Sequence, residues 1–289
     1  MRAVKQFARL LFSLAITALV GGFLTAALVR LSPGFGVDEN ELDPARDVAA
    51  LRALQAARPE RSGFWAYTVR HEAALFRGDL GISRNWKRPV AGLLNERWRV
   101  TARLMAVGIL GGWALALIFV LPSLVYPSRI WDALAAGVSG LLLCVPSAAL
   151  ALLIFVYAGP ARAVMALAVF PRVYQYLRNV MSHAAAQPHV MAARVRGISP
   201  ARILLWHIVP VAAPQALALA GVSVSMAFGA AVAVEVICDF PGLGQLAWKA
   251  ALARDLPLLL TLTMLVTLAT QLANALADML SGSPSEVRA

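Results

Sequence analysis

"LMAVGILGGWALALIFVLPSLVY", residues 104–126, contains no charged side chain. A stretch this long and this apolar can close all its backbone hydrogen bonds only as a helix, and its length matches the hydrocarbon core of a bilayer. The alternation of a lipid-facing barrel strand is absent. Similar uncharged runs recur at 10–29, 133–161, 216–234 and 256–277, which predicts five membrane-spanning helices. A sixth is expected over 163–180, although Pro171-Arg172 interrupts it. An arginine at mid-membrane costs about 3 kcal/mol, so Arg172 is expected to face other helices or water.

The composition agrees. The 289 residues are 60% hydrophobic and 14% charged, with a mean hydropathy of +0.71. Soluble domains sit nearer half apolar and a quarter charged. The net charge of +11 does not call for a nucleic-acid partner, because inner loops of membrane proteins carry an excess of Lys and Arg anyway. The first run follows Arg2, Lys5 and Arg9 and is longer than the apolar region of a signal peptide, so it reads as a retained helix with a cytoplasmic N-terminus. Cys144 and Cys238 both fall in or beside apolar runs, and His71, His183, His189 and His207 are scattered without metal-ligand spacing. No Gly-rich phosphate loop with its lysine is present, so no cofactor is expected in this chain.

Between the first two spans lies a long segment, 31–99. "DPARDVAALRALQAA" (43–57) and "SGFWAYTVRHEAALFRGDLG" (62–81) place apolar residues at helical spacing, which predicts helices lying at the outer headgroup level. Between the fourth and fifth spans, "HVMAARVRGISPARILLWHIVP" (189–210) gathers three arginines and two histidines around a Gly-Ile-Ser-Pro break. Gly197 suits a left-handed helix cap, and Ser199-Pro200 suits the start of a second helix. By itself such a stretch also fits an ordinary basic inner loop.

Five motifs occur in one order: "FRGDLGISRNWKRPV" (76–90), "HVMAARVRGISP" (189–200), "VEVICDFPGLGQL" (234–246), "RDLP" (254–257) and "NALAD" (274–278). In this order they resemble the B-type permeases of dipeptide, oligopeptide and nickel ABC importers, over nearly the whole chain. The resemblance implies an all-α polytopic protein of six transmembrane helices. Its first helix covers 1–30, the periplasmic segment 31–99, a five-helix permease core 100–280 with the coupling loop 181–212, and a cytoplasmic tail 281–289. It implies a second, homologous permease subunit, two ABC ATPase subunits that carry ATP and Mg, and a periplasmic substrate-binding protein. Peptides are the implied cargo, with nickel chelates or another small solute as the alternative and a secondary transporter as a more distant one.

The loop signature falls on His189, Ala192, Ala193, Arg194, Arg196, Gly197, Ser199 and Pro200, which would contact an ATPase. Met191 and His189 depart from the family pattern, as do the short connection 158–160 and the ending "GSPSEVRA". For a translocation path or gate the candidates are Glu235 and, on one face of the last span, Gln271, Asn274 and Asp278. Asp278 suits a plain inner-interface residue better than a substrate role. Pro241, Gly242 and Gly244 read as a tight periplasmic turn after a helix. Gly221, Ser225, Gly229 and Ala233, four residues apart, read as a stripe for close helix packing.

Overall fold

The computed structural model describes residues 2–31, 69–71, 73–75, 77–157 and 161–281, and the side chains of 2–11, 18, 29, 30 and 161 are outside it. The helix predicted at 43–57, residues 62–68, 72 and 76 of the stretch predicted over 62–81, the connection 158–160 and the tail beyond 281 lie outside the described residues. Those that are described form helices and turns, with one isolated bridge between Ile82 and Pro89. The helices are α1 (Arg2–Leu31), α2 (Val90–Val125), α3 (Arg129–Cys144), α4 (Ser147–Val156), α5 (Ala161–Ala185), α6 (Pro188–Val195), α7 (Pro200–Ile203), α8 (Val209–Ile237), α9 (Leu243–Leu252) and α10 (Leu256–Ser281). A π-helical turn, Leu204–Ile208, joins α7 to α8.

Among the described residues, three continuous helices are long and apolar enough to cross a membrane: Val90–Val125, Pro200–Ile237 and Leu256–Ser281. α3 and α4 pass the same test as a pair, but they meet at 97°. The single span expected over 133–161 is therefore broken. Pro146 supplies no N–H and disfavours the helical region for the residue before it, and Val145 is accordingly extended at φ −91°, ψ 119°. α5 behaves in the opposite way and runs unbroken through Pro171. Its Val164, Met165, Val169, Phe170, Val173, Tyr174 and Leu177 are all buried, so core packing holds the helix across the missing bond. Buried Ser139 of α3 donates to the Pro171 carbonyl at 3.1 Å. Arg172 lies on the exposed face of α5.

The chain divides into two compact units, the described parts of Met1–Glu96 with Leu246–Ala269, and of Arg97–Gln245 with Thr270–Ala289. In the first, two of the sequence motifs meet. Asp255 of "RDLP" accepts from the Ser83 hydroxyl and from the Asn85 N–H at 3.1 Å, both in "FRGDLGISRNWKRPV". The same carboxylate accepts from the Leu258 N–H at 3.3 Å and so caps α10. Nearby, His71 Nε2 lies 3.3 Å from the Thr261 hydroxyl, and burial holds this imidazole below its usual range.

The second unit is built on α5, with the residues named above packed against α3, α4 and α8. α2 also approaches α5 closely because Gly108, Gly111 and Gly112 present no side chain. A Cβ at Gly108 would stand 2.6 Å from Met165 Cβ, and one at Gly112 would stand 2.9 Å from Val169. Trp113 of α2 donates through Nε1 to Ser223 of α8 at 3.0 Å. Of the proposed stripe on α8, Gly221 does meet a neighbour, since a Cβ there would fall 2.7 Å from Ala277 Cβ. Gly229 has nothing within 4 Å and supports no such contact.

Replacing Gly112 by leucine should cost about 1–3 kcal/mol through overpacking against Val169 and Phe170. Thermal aggregation of the purified protein measures this. Gly137→Ala, at a position with no atom within 4 Å of the added carbon, should leave the transition where it is or raise it slightly.

Candidate functional site

The basic loop folds as two short helices around a sharp turn. α6 opens with Pro188 at its first position, as a residue lacking an N–H can do without loss. It ends at Arg196, and Gly197 follows at φ +75°. The Gly197 N–H donates to the Arg194 carbonyl at 3.0 Å and the Ile198 N–H to the Ala193 carbonyl at 3.3 Å. These two bonds define a Schellman cap, which needs the left-handed conformation that Gly197 supplies. Ser199 then sits at the N-cap of α7 with Pro200 first inside, although the Ser199 side chain makes no capping bond.

Ala193 is buried beneath this turn, whereas His189, Ala192, Arg194, Arg196, Gly197, Ser199 and Pro200 are exposed. The His189 and His207 rings lie 6.3 Å apart, and His189 Nε2 is 3.4 Å from the His207 carbonyl. That contact ties α6 to the π turn. The turn itself has a local cause. Pro210 has no N–H for the Trp206 carbonyl and its ring crowds that carbonyl, so the backbone widens just upstream and the Val209 N–H reaches Leu204 instead.

Sequence reasoning missed the apolar part of this surface. Val195 is 89% exposed, Met191 61% and Trp206 73%. The signal was present, since Met191 and Val195 are one helical turn apart, but the arginines drew the reading toward charge. Arg194, Arg196 and Arg202 of the same segment are exposed as well, so apolar and basic side chains share this surface.

Glu235 forms the second feature of this unit. It is fully buried near the end of α8. Its carboxylate accepts from the Thr101 hydroxyl at 2.6 Å, from the Gly244 N–H at 2.7 Å and from the Gln245 N–H at 3.1 Å. The Leu243 N–H in turn donates to Thr101 Oγ1 at 2.7 Å. Burying an ionisable carboxyl costs several kcal/mol unless donors surround it, and here the open N-terminus of α9 supplies them. The glycines of the motif follow from this geometry. A Cβ at Gly242 would overlap the Glu235 carboxylate, and one at Gly244 would fall 2.6 Å from the Val232 Cα. Pro241 and Gly242 do make a turn after the helix, closed by the Phe240 N–H on the Glu235 carbonyl at 2.9 Å, and Gly244 stands in the first turn of α9.

The other path candidates are not gathered around this carboxylate. Gln271 and Asn274 are half-buried and Asp278 is exposed. Asn274 Oδ1 is buried without a hydrogen-bond partner, and its helix backbone passes Gly221, where a Cβ would lie 3.0 Å from Asn274 Cα. Thr101 and Gln245 were invisible as partners of Glu235 in the sequence, because Thr101 stands 134 residues away. Gln245 extends the network by accepting from Arg97 at 3.4 Å and donating to Asp239 at 2.6 Å.

Residues 108–282 match the sequence profile of a family described as the binding-protein-dependent transport system inner membrane component. The glutathione transport system permease protein of Pectobacterium atrosepticum is 27% identical over 96% of both chains. The di/tripeptide transport system permease protein of Pseudomonas aeruginosa is 32% identical over 36% of this chain and 31% of its own. The metal-staphylopine import system permease protein of Staphylococcus aureus is 31% identical over 37% of this chain and 35% of its own.

Thr101→Val and Glu235→Gln should each lower thermal stability by about 1–3 kcal/mol, the range for disrupting a buried hydrogen-bonded group. Because they share one network, the double variant should lose clearly less than the sum of the two. Additive losses in such a cycle would show that the two side chains act separately.

Proposed function

This chain belongs to the family of binding-protein-dependent transport system inner membrane components, and we propose that it is the peptide-carrying permease subunit of an ATP-driven ABC importer. In this reading it forms half of the translocation path with a second homologous permease. Two ATPase subunits dock on the cytoplasmic side, where ATP and Mg are bound, and a periplasmic binding protein delivers substrate on the other. Names carried by relatives that match nearly the full chain and about a third of it support peptides as cargo. The metal-staphylopine relative supports a metal chelate as the second reading.

One observation carries the coupling role: the exposed apolar ridge of α6 rests against the foot of a helix that continues to Glu235. From Pro200 to Ile237 the helix has 38 residues, about 57 Å at 1.5 Å per residue. The hydrocarbon core is about 30 Å thick, so this helix reaches well beyond it. A push on α6 would therefore be delivered through the His189–His207 contact to a lever whose far end is fixed by the Glu235 turn. Six spans, counting α1, the bent pair α3–α4 and α5, would put both termini in the cytoplasm and residues 38–99 outside.

Two outcomes test this. Cysteine at Asn40 should react with an impermeant reagent in intact cells while cysteine at Ser199 stays protected, and the reverse pattern would invert the topology. Gly197→Val should reduce co-purification of the ATPase or leave ATP hydrolysis uncoupled from uptake. A side chain at positive φ costs about 1–2 kcal/mol, whereas asparagine tolerates it. Gly197→Asn should thus remain close to normal, and equal behaviour of the two variants would contradict a role for the turn geometry.

A further inference from the structure

The buried residues of α5 repeat at helical spacing, and its opposite side is polar. Gln175, Arg178, Asn179 and Ser182 line a cavity of about 410 Å³ together with Tyr174 and with Ala136 of α3. In a membrane protein two amides and a guanidinium on one helix face are costly against lipid, so that face belongs to water, protein or a solute. Gln175, Arg178, Asn179 and Ser182 take no part in the buried core of α5.

Arg178 is held in the cavity wall by Asp132 of α3, Nη2 to Oδ2 at 3.4 Å. This is a long, single contact rather than the paired fork that arginine and carboxylate prefer. The other Asp132 oxygen, Oδ1, is buried with no hydrogen-bond partner. Asp132 thus orients the guanidinium without saturating its donors, and the planar fork stays suited to a second carboxylate. Beside it, each amide of Gln175 and Asn179 offers both a donor and an acceptor, which is what a peptide bond requires. From Gln175 to Ser182 the helix rises about 10 Å, close to the length of three extended residues.

We propose that this cleft is a transit subsite for a short peptide, with Arg178 receiving the terminal carboxylate and Gln175, Asn179 and Ser182 the adjoining peptide bonds. The proposal rests on the peptide-permease reading and adds to it a place and a recognised group. Asp132 acts as a positioning residue. Contact through main-chain and terminal groups would leave side-chain sequence unread, as suits a path that passes many peptides.

The test uses the whole importer, purified with its partner subunits in lipid nanodiscs. Cys144 and Cys238 are replaced by alanine, and Ala136→Cys places one thiol in the cleft wall. Trialanine should slow maleimide labelling of that thiol, and trialanine amide should do so far less. Arg178→Gln should weaken the protection by trialanine about tenfold, the loss expected for one charge-assisted pair, and abolish the difference between the two peptides. Arg178→Lys, which keeps the charge and loses the fork, should protect partially and serves where the glutamine variant does not assemble. Equal protection by both peptides, or protection unchanged in the Arg178 variants, would overturn the carboxylate subsite. Absence of protection in an importer that takes up trialanine would remove the cleft from the path. Failure of the unaltered importer to take up any peptide would instead refute the peptide reading itself.

Discussion

A chain inside hydrocarbon has no water to satisfy its backbone, so each N–H and C=O must find a partner within the protein. Most of this fold follows from that constraint and from the places where proline breaks it. Long uncharged runs become helices because nothing else closes their hydrogen bonds. At Pro146 the run breaks and turns by 97°. At Pro210 the helix does not break but widens into a π turn, because the chain on both sides is committed to one long element. At Pro171 it does neither, since Phe170, Val173 and Tyr174 are locked into the core. The same residue type gives three outcomes, and the difference lies in how much packing surrounds it.

The constraint also explains the turn at the far end of α8. A fully buried Glu235 would be untenable alone, and the free N–H groups at the start of α9 would be equally untenable in an apolar setting. Each supplies what the other lacks, with Thr101 bridging them. The result is a fixed point at one end of a 38-residue helix whose other end carries an exposed, partly apolar loop. In the proposed importer, such an element would pass movement from an ATPase subunit to the membrane path.

Much of this was legible in the sequence, and the exceptions are instructive. The uncharged run at 104–126 is the heart of α2, and Gly197 takes the left-handed cap that its place after a basic helix suggested. The turn at Pro241 and Gly242 was legible too, with Gly244 falling in the helix that follows. The break at Val145-Pro146 was not, because hydropathy sees one apolar run where stereochemistry makes two helices. Glu235 stood out as an intramembrane carboxylate, but its partners come from distant chain or from backbone, neither of which leaves a local pattern. The polar face of α5 was hidden by interleaving, since Leu177 sits between Gln175 and Arg178 in sequence yet is buried in the core.

The most direct measurement of the central claim is a crosslink from the tip of the loop. Val195, 89% exposed on α6, is replaced by cysteine in a chain without its native cysteines, and the assembled importer is treated with a short bifunctional maleimide. A covalent adduct with an ATPase subunit, absent when the cysteine stands at Leu152, 54% exposed on α4, is the expected result. A Val195 cysteine that reacts freely with a soluble maleimide in the complete complex and forms no adduct would contradict the coupling role.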